Sequence, residues 1–408
     1  RDRSPSRGLG DVYKRQMVTV HRCYGMMKVY KIRKENGMEQ TIKFTKKNTL
    51  AVKGIAISFL LCYHCFSQTA RMGGAEVSFW PLPQNLAMLI SLCMVHCVGM
   101  FAFLSVYGLT LSMKSKYPEY DFDGHTATLF VLKRYVKLVL TFLVPFVFCV
   151  GVTFVTDTFR YPAGMFANII SIIMDFFGVG HMFGGRMLVS TWWYLSLEVL
   201  LIFFLPVALQ IYRKYSWLIV MLFLLPGSFL IEKHVHLTKY LFIVPLAICF
   251  ADQQVFERLK SWKPLKSQAL SKFLKFVVST GMILALLMLW NSRWALERFE
   301  FMLNGLIPVA IIYWAYEFLL DIPGLHQLLE FLGKYSATVF YIHTFIRTLW
   351  LRDFTYSLGH AAVIWLFLMG SSILIAVFLD VVKKLIHYEK ISNVVIDGFI
   401  GWADRTLW

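Results

Sequence analysis

Ten stretches of this chain are almost continuously apolar: about 49–66, 86–112, 131–155, 192–211, 215–231, 238–251, 273–290, 302–320, 335–352 and 361–382. Most of them reach the ~20 residues a helix needs to cross a ~30 Å hydrocarbon layer. Hydrocarbon offers no partners to the backbone, so each crossing segment must satisfy its own amides and carbonyls, as an α-helix does. The sixth stretch is short, and a further apolar piece at 165–179 is interrupted by Asp175 and glycines. That piece reads as a re-entrant or interfacial helix. The expected fold class is all-α: a polytopic membrane protein with about ten transmembrane helices. Composition agrees, because 58% of the residues are hydrophobic and only 16% charged, too little charge for the surface of a soluble chain.

The net charge of +17 does not imply nucleic acid, because the cations sit in short connections between apolar stretches. Lys114, Lys116, Lys133, Arg134 and Lys137 occupy one connection, and Arg258, Lys260, Lys263, Lys266, Lys272 and Lys275 another. Arg213 and Lys214 follow the fourth stretch, and Lys383, Lys384 and Lys390 the tenth. Alternate connections are poorer, with Arg71, then Arg160 and Arg186, then Lys233 and Lys239, then Arg293 and Arg298. The positive-inside bias therefore places both termini in the cytoplasm. Residues 1–16 are polar and basic without an apolar run; they read as a non-native tail with Met17 as the native start. Residues 17–48 read as a basic cytoplasmic lead-in, 49–385 as the membrane domain and 386–408 as a cytoplasmic tail. The seven cysteines are odd in number and mostly inside the apolar stretches, which argues against a disulfide framework. Cys62-Tyr-His64-Cys65 and Cys93-Met-Val-His96-Cys97 lack metal-ligand spacing, so no metal is expected.

Polar groups inside the spans are the candidate site. Lys53 and His64 are eleven residues apart, three turns plus roughly 20°, so they share a helix face about 16 Å apart. A cation and an imidazole in a membrane helix are a functional hypothesis by default. The structural alternative is a snorkelling lysine and a histidine bonded to a neighbouring helix. Orientation then gives depth. Lys53, Ser105, Arg134 and Lys137 gather toward the cytoplasm, a set that suits the phosphates of a nucleotide-like cosubstrate. His64, Glu198 and His343 gather in the middle and outer half, which suits a histidine base with a carboxylate that orients it or stabilises its charged form. Arg134 and Lys137 can equally be positive-inside anchors, and Ser105 helix–helix glue. Arg347 and Asp380 read as interfacial.

Taken in order, these residues resemble the acyltransferase-3 family of bacterial integral-membrane acyltransferases over about residues 48–385. Lys53-Gly54-Ile55-Ala56 with His64 matches the family's opening, where an arginine and a histidine are separated by ten residues. Phe103-Leu-Ser105-Val-Tyr107-Gly108 matches a Phe-Phe-x-x-Ser-Gly-like end of the second span. Arg134 and Lys137 match a basic pair opening the third, and Trp193 with Glu198 a Trp-x-x-x-x-Glu start of the fourth. Ser336, Tyr341 and His343 match a late Ser-x-x-x-Tyr-x-x-His-like motif. Two departures stand at the donor end. Lys53 replaces the arginine and loses its planar fork. Val106 replaces a glycine.

The resemblance implies an O-acetyltransferase type of enzyme, which transfers groups other than aminoacyl groups. It would sit as a multi-pass protein in the bacterial cytoplasmic membrane and modify polysaccharide of the cell envelope. An acyl group, usually acetyl, would pass from cytoplasmic acyl-CoA, a cosubstrate rather than a bound cofactor, to a glycan hydroxyl. Lys53, Ser105, Arg134 and Lys137 would hold the acyl-CoA. His64 and Glu198 would be catalytic, with His343, Tyr341 and Trp193 supporting the acceptor or the catalysis. The expected partners are acyl-CoA, a glycan acceptor and the lipid bilayer, with no nucleic acid. The alternative is a transporter or flippase for a lipid-linked sugar or acyl intermediate, since membrane charges can line a path too. A membrane scaffold would leave Lys53, His64, Glu198 and His343 unexplained.

Overall fold

The structure, a computed structural model, describes residues 43–158, 165–220 and 237–407. The tail 1–16, almost all of the lead-in, most of the fifth apolar stretch, and Arg160 and Lys233 lie outside the described residues. The described chain is all helical. Its elements are α1 (Lys46–Phe66), α2 (Gln84–Lys116), α3 (Gly124–Val155), α4 (Met165–Phe176) and α5 (Ser190–Tyr215). They continue with α6 (Thr238–Asp252), α7 (Val255–Ser261), α8 (Gln268–Asn291), α9 (Arg293–Leu319) and α10 (Leu325–Phe345). A wider-wound turn, Ile346–Trp350, extends α10 before α11 (Arg352–Ser357), α12 (Ala361–Leu385) and α13 (Tyr388–Thr406).

Seven of these helices are long and apolar enough to cross a membrane, or eight if α6 and α7, bent by 59°, form one broken span. The protein is therefore a multi-pass membrane protein, with fewer apolar crossing helices among the described residues than the ten expected. The sixth stretch is the longer leg of the bent pair; Gln254, at φ +52°, makes the break. The ninth becomes α10, which begins at Leu325 and carries His326, Gln327, Glu330 and Lys334 in its first half. That half is too polar to read as a span. The piece at 165–179 holds the twelve-residue α4. Asp175 near its end accepts the Leu188 amide at 2.7 Å and ties down the loop toward α5.

Local chemistry sets the boundaries. Asp123 caps α3 by accepting the Thr126 amide at 2.8 Å, and Ser267 caps α8 through the Leu270 amide, each satisfying an otherwise orphaned donor. These hydrogen bonds also hold the Asp123 carboxyl below the usual carboxylate range. The surface of α8 is apolar, with Phe273, Val277, Leu284 and Met288 exposed, as a lipid-facing helix requires. Several expected loop cations are paired: Lys260 with Asp321 at 2.7 Å, Lys114 with Asp252 at 2.8 Å, and Lys275 with Glu317 in a buried pair at 3.0 Å. Residues 386–408 hold more than a tail. α13 lies along α3, joined by His125–Asp404 at 2.7 Å, Lys133–Asp397 at 3.3 Å and the Tyr388 hydroxyl donating to the Leu140 carbonyl at 2.7 Å.

The contact that positions the site is between α1 and α10. A Cβ on Gly54 would stand 2.1 Å from the Leu329 carbonyl oxygen, and one on Gly333 would stand 1.8 Å from that of Leu50. Only glycine permits backbones this close. Ten positions further along each helix, the rings of His64 and His343 lie 5.1 Å apart. Contacts that recur at the same interval on both chains define parallel helices in register. The polar groups of the first and ninth stretches are thereby carried together.

Candidate functional site

Two polar clusters hang on the α1–α10 pair. The first lines a cavity of about 450 Å³. Lys53, Ser105, Arg134, Lys137, Glu198, Ser336 and Tyr341 all face it. Glu198 Oε1 accepts from the Ser105 hydroxyl at 2.9 Å and from the Tyr194 hydroxyl. Lys53 makes no hydrogen bond among the described residues and interacts electrostatically with Glu198. Arg134 donates to the Ser112 hydroxyl. Three cations thus face one carboxylate, so the cavity carries positive charge toward a ligand. Its volume lies within the range of small-molecule sites.

The second cluster is at the far end of the helix pair. Arg71 Nη1 lies 2.8 Å from His64 Nδ1. A guanidinium can only donate, so Nδ1 is the acceptor and the proton of the neutral ring is on Nε2. His343 has the opposite arrangement. Its Nδ1 is 2.8 Å from the Phe340 carbonyl and 3.1 Å from that of Val339. Carbonyls only accept, so Nδ1 carries the proton and Nε2 faces the Thr344 hydroxyl at 3.1 Å. Thr344 in turn meets Thr191 at 3.0 Å, which ties the imidazole to α5. Arg347, only 7% exposed, reaches the Tyr356 hydroxyl at 3.4 Å. Tyr356 donates to the Cys65 carbonyl at 3.4 Å. Arg71 belongs to a single helical turn, Thr69–Met72, outside the spans. Its guanidinium also stacks 4.7 Å from the Tyr63 ring, and burial lowers its pKa.

The structure brings together the expected donor-end residues Lys53, Ser105, Arg134 and Lys137, and it brings His64 to His343. It does not bring Glu198 to His64. The carboxylate belongs to the cavity with Lys53, because α5 turns it toward α2 and α1 at the level of Ser105. Trp193 lines neither cluster; it stacks on Tyr240 at 5.8 Å. Arg347 is a buried member of the second cluster, not an interfacial anchor, whereas Asp380 pairs with Lys384 at 3.1 Å. Sequence reasoning missed Arg71, Tyr194 and Tyr356. Arg71 had a signal: it is the lone cation of its loop, seven residues from His64.

One ring separates the two clusters. Phe340 lines the cavity and stands 6.2 Å from His343 and 5.3 Å from Tyr194, measured between ring centroids. Comparison of the chain with protein-family models, with curated proteins and with solved structures gave no match.

Proposed function

We propose that this protein is an integral-membrane acyltransferase that moves an acyl group, acetyl in the simplest case, from cytoplasmic acyl-CoA to a hydroxyl of an envelope or cell-surface glycan. The observation that carries the reading is the adjacency of a cationic cavity and a histidine pair, with Phe340 between them. Neither cluster alone implies transfer, but a polyanion site beside a base does. The motif order that resembles acyltransferase-3 proteins supports the same reading.

In this reading Lys53, Arg134 and Lys137 hold the coenzyme phosphates, and the thioester arm extends along α1 past Phe340 toward His64. The glycan hydroxyl attacks the thioester carbonyl carbon. Its proton goes to the His64 imidazole, the carbon–sulfur bond breaks, and the imidazole returns the proton to the departing thiolate. The products are the glycan ester and free coenzyme A. His343 holds its orientation through Phe340, Val339 and Thr344 and keeps a second imidazole beside the first. Glu198 is placed with the donor, where it orients the Lys53 ammonium; it is too tightly held by Ser105 and Tyr194 to serve His64.

The test is ester content of envelope glycans in cells carrying His64→Ala at expression equal to wild type. Loss of a general base removes ~10²- to 10⁴-fold of rate, so the ester should fall below detection. Wild-type ester in that variant would overturn the role of His64. An unchanged glycan leaving the cell in its place would favour transport.

A further inference from the structure

The far cluster contains two arginines and two histidines, and among the described residues none of them pairs with a carboxylate. Burying cations without an anion is costly, and the cost shows in the hydrogen bonding. Arg71 Nε and Arg347 Nε are both buried without a partner. Arg347 is more than nine-tenths buried and has only the Tyr356 hydroxyl to donate to. Guanidinium groups left this way are preorganised for a planar oxyanion.

The cluster is reachable. Beside it lies a second cavity of about 480 Å³, lined by Met72, Gly73, Glu76, Arg352, Asp353 and Tyr356. Tyr356 forms part of its lining and is also the residue that touches Arg347 and the Cys65 carbonyl. The loop over it is pinned: the Ser78 amide donates to Gly359 at 2.7 Å, and the Ala361 amide donates to Ser78 at 2.9 Å. Glu76 and Asp353 stay at the cavity wall and form no ion pair with Arg71, Arg347 or Arg352 among the described residues.

We infer that this cavity takes an acidic sugar, with Arg71 and Arg347 binding its anionic group, and that Arg71 is a latch on His64. In the structure the only lone pair of the His64 ring is occupied by Arg71. A base whose lone pair is occupied cannot accept a proton. An anion that draws the Arg71 guanidinium toward itself leaves Nδ1 free for the acceptor hydroxyl. The acceptor thereby unmasks the base that activates it, and acyl-CoA alone does not. This inference rests on the proposed transfer reaction for its purpose, but its binding step is independent of it.

The experiment uses the full chain in a maltoside detergent, free of phospholipid and without acyl-CoA. Histidine ring nitrogens are labelled with ¹⁵N and observed by magnetic resonance while glucuronate, glucose 6-phosphate or glucose is added. His64 is assigned by loss of its signal in His64→Gln. The expected result is a shift of the His64 Nδ1 resonance with glucuronate and glucose 6-phosphate, and none with glucose. A response to glucuronate alone marks the anion as a sugar carboxylate, and to glucose 6-phosphate alone as a sugar phosphate. Inorganic phosphate is run in parallel; a response to it equal to that of both acidic sugars would mean a phosphate site with no sugar recognition and would overturn the inference.

Arg347→Gln should weaken the response at least tenfold, and Arg347→Lys should retain part of it. If Arg347→Gln does not fold, Arg71→Gln supplies the same test at a half-buried position, where His64 should show the unlatched spectrum without any sugar. Equal responses to glucose and glucuronate, or an unaltered His64 spectrum in Arg71→Gln, would overturn the inference. Failure of the transfer reading is separate: coenzyme A binding is measured on the same samples and does not depend on Arg71 or Arg347.

Discussion

The two polar clusters share a pair of helices and solve the problem of buried charge in opposite ways. Around Lys53 the chain supplies its own counter-charge. Glu198 faces the lysine, two hydroxyls fill one of its oxygens, and open space remains beside it. Around Arg347 it supplies none: two arginines and two histidines crowd together with guanidinium donors left over. A self-compensated site is stable when empty and can wait for a large ligand. An uncompensated one is incomplete until an anion arrives. The first arrangement suits a cosubstrate that is always present, and the second a partner that must be sensed.

Three substitutions would break or sharpen this contrast. The largest effect is expected from Gly333→Ala, because its new Cβ meets the Leu50 carbonyl and the two helices must part. Overpacking of this kind costs ~1–3 kcal/mol or more. The thermal unfolding midpoint in detergent should fall, and coenzyme A binding and the His64 resonance should be disturbed together. A variant with wild-type stability would mean that the helix contact does not hold the clusters in register.

Next is Lys53→Ala. A charge-assisted contact is worth ~1.5–3 kcal/mol, so coenzyme A binding measured by calorimetry should weaken roughly ten- to hundredfold. Lys53→Arg should change it little, and neither should move the His64 spectrum. Unchanged binding in the alanine variant would remove Lys53 from the site.

The smallest effect is expected from Tyr194→Phe, which deletes one of two hydroxyls on Glu198 Oε1. One hydrogen bond contributes about 1 kcal/mol. The unfolding midpoint should drop slightly, with the histidine pair untouched. A change at the histidines would show that the clusters communicate through Phe340.

Much of the fold was legible because hydrophobic runs near the length of a bilayer leave few options. α10 was only half legible: its first turns are polar, and they become helical because Gly333 seats them against α1. The donor end was legible through Lys53, Ser105, Arg134 and Lys137, whose depths agree. Glu198 was misassigned for a physical reason. Sequence position fixes height along a span but not the direction a side chain faces among its neighbours. Two polar groups can sit within a few turns of each other and still belong to different pockets. Arg71 escaped because a loop charge reads as solvated, and nothing local says that its turn folds back onto Tyr63 and His64.

The touching backbones at Gly54 and Gly333 carry one more consequence. With carbonyl oxygens against both glycines, neither helix can slip along the other without driving a Cβ into the opposite main chain. The separation between cavity and imidazoles is then a fixed gauge, ten residues of rise or about 15 Å on each helix. A donor whose reactive carbon sits at that distance from its phosphates is in range. One that is shorter binds and stays idle, so the pair of glycines selects donors by measurement.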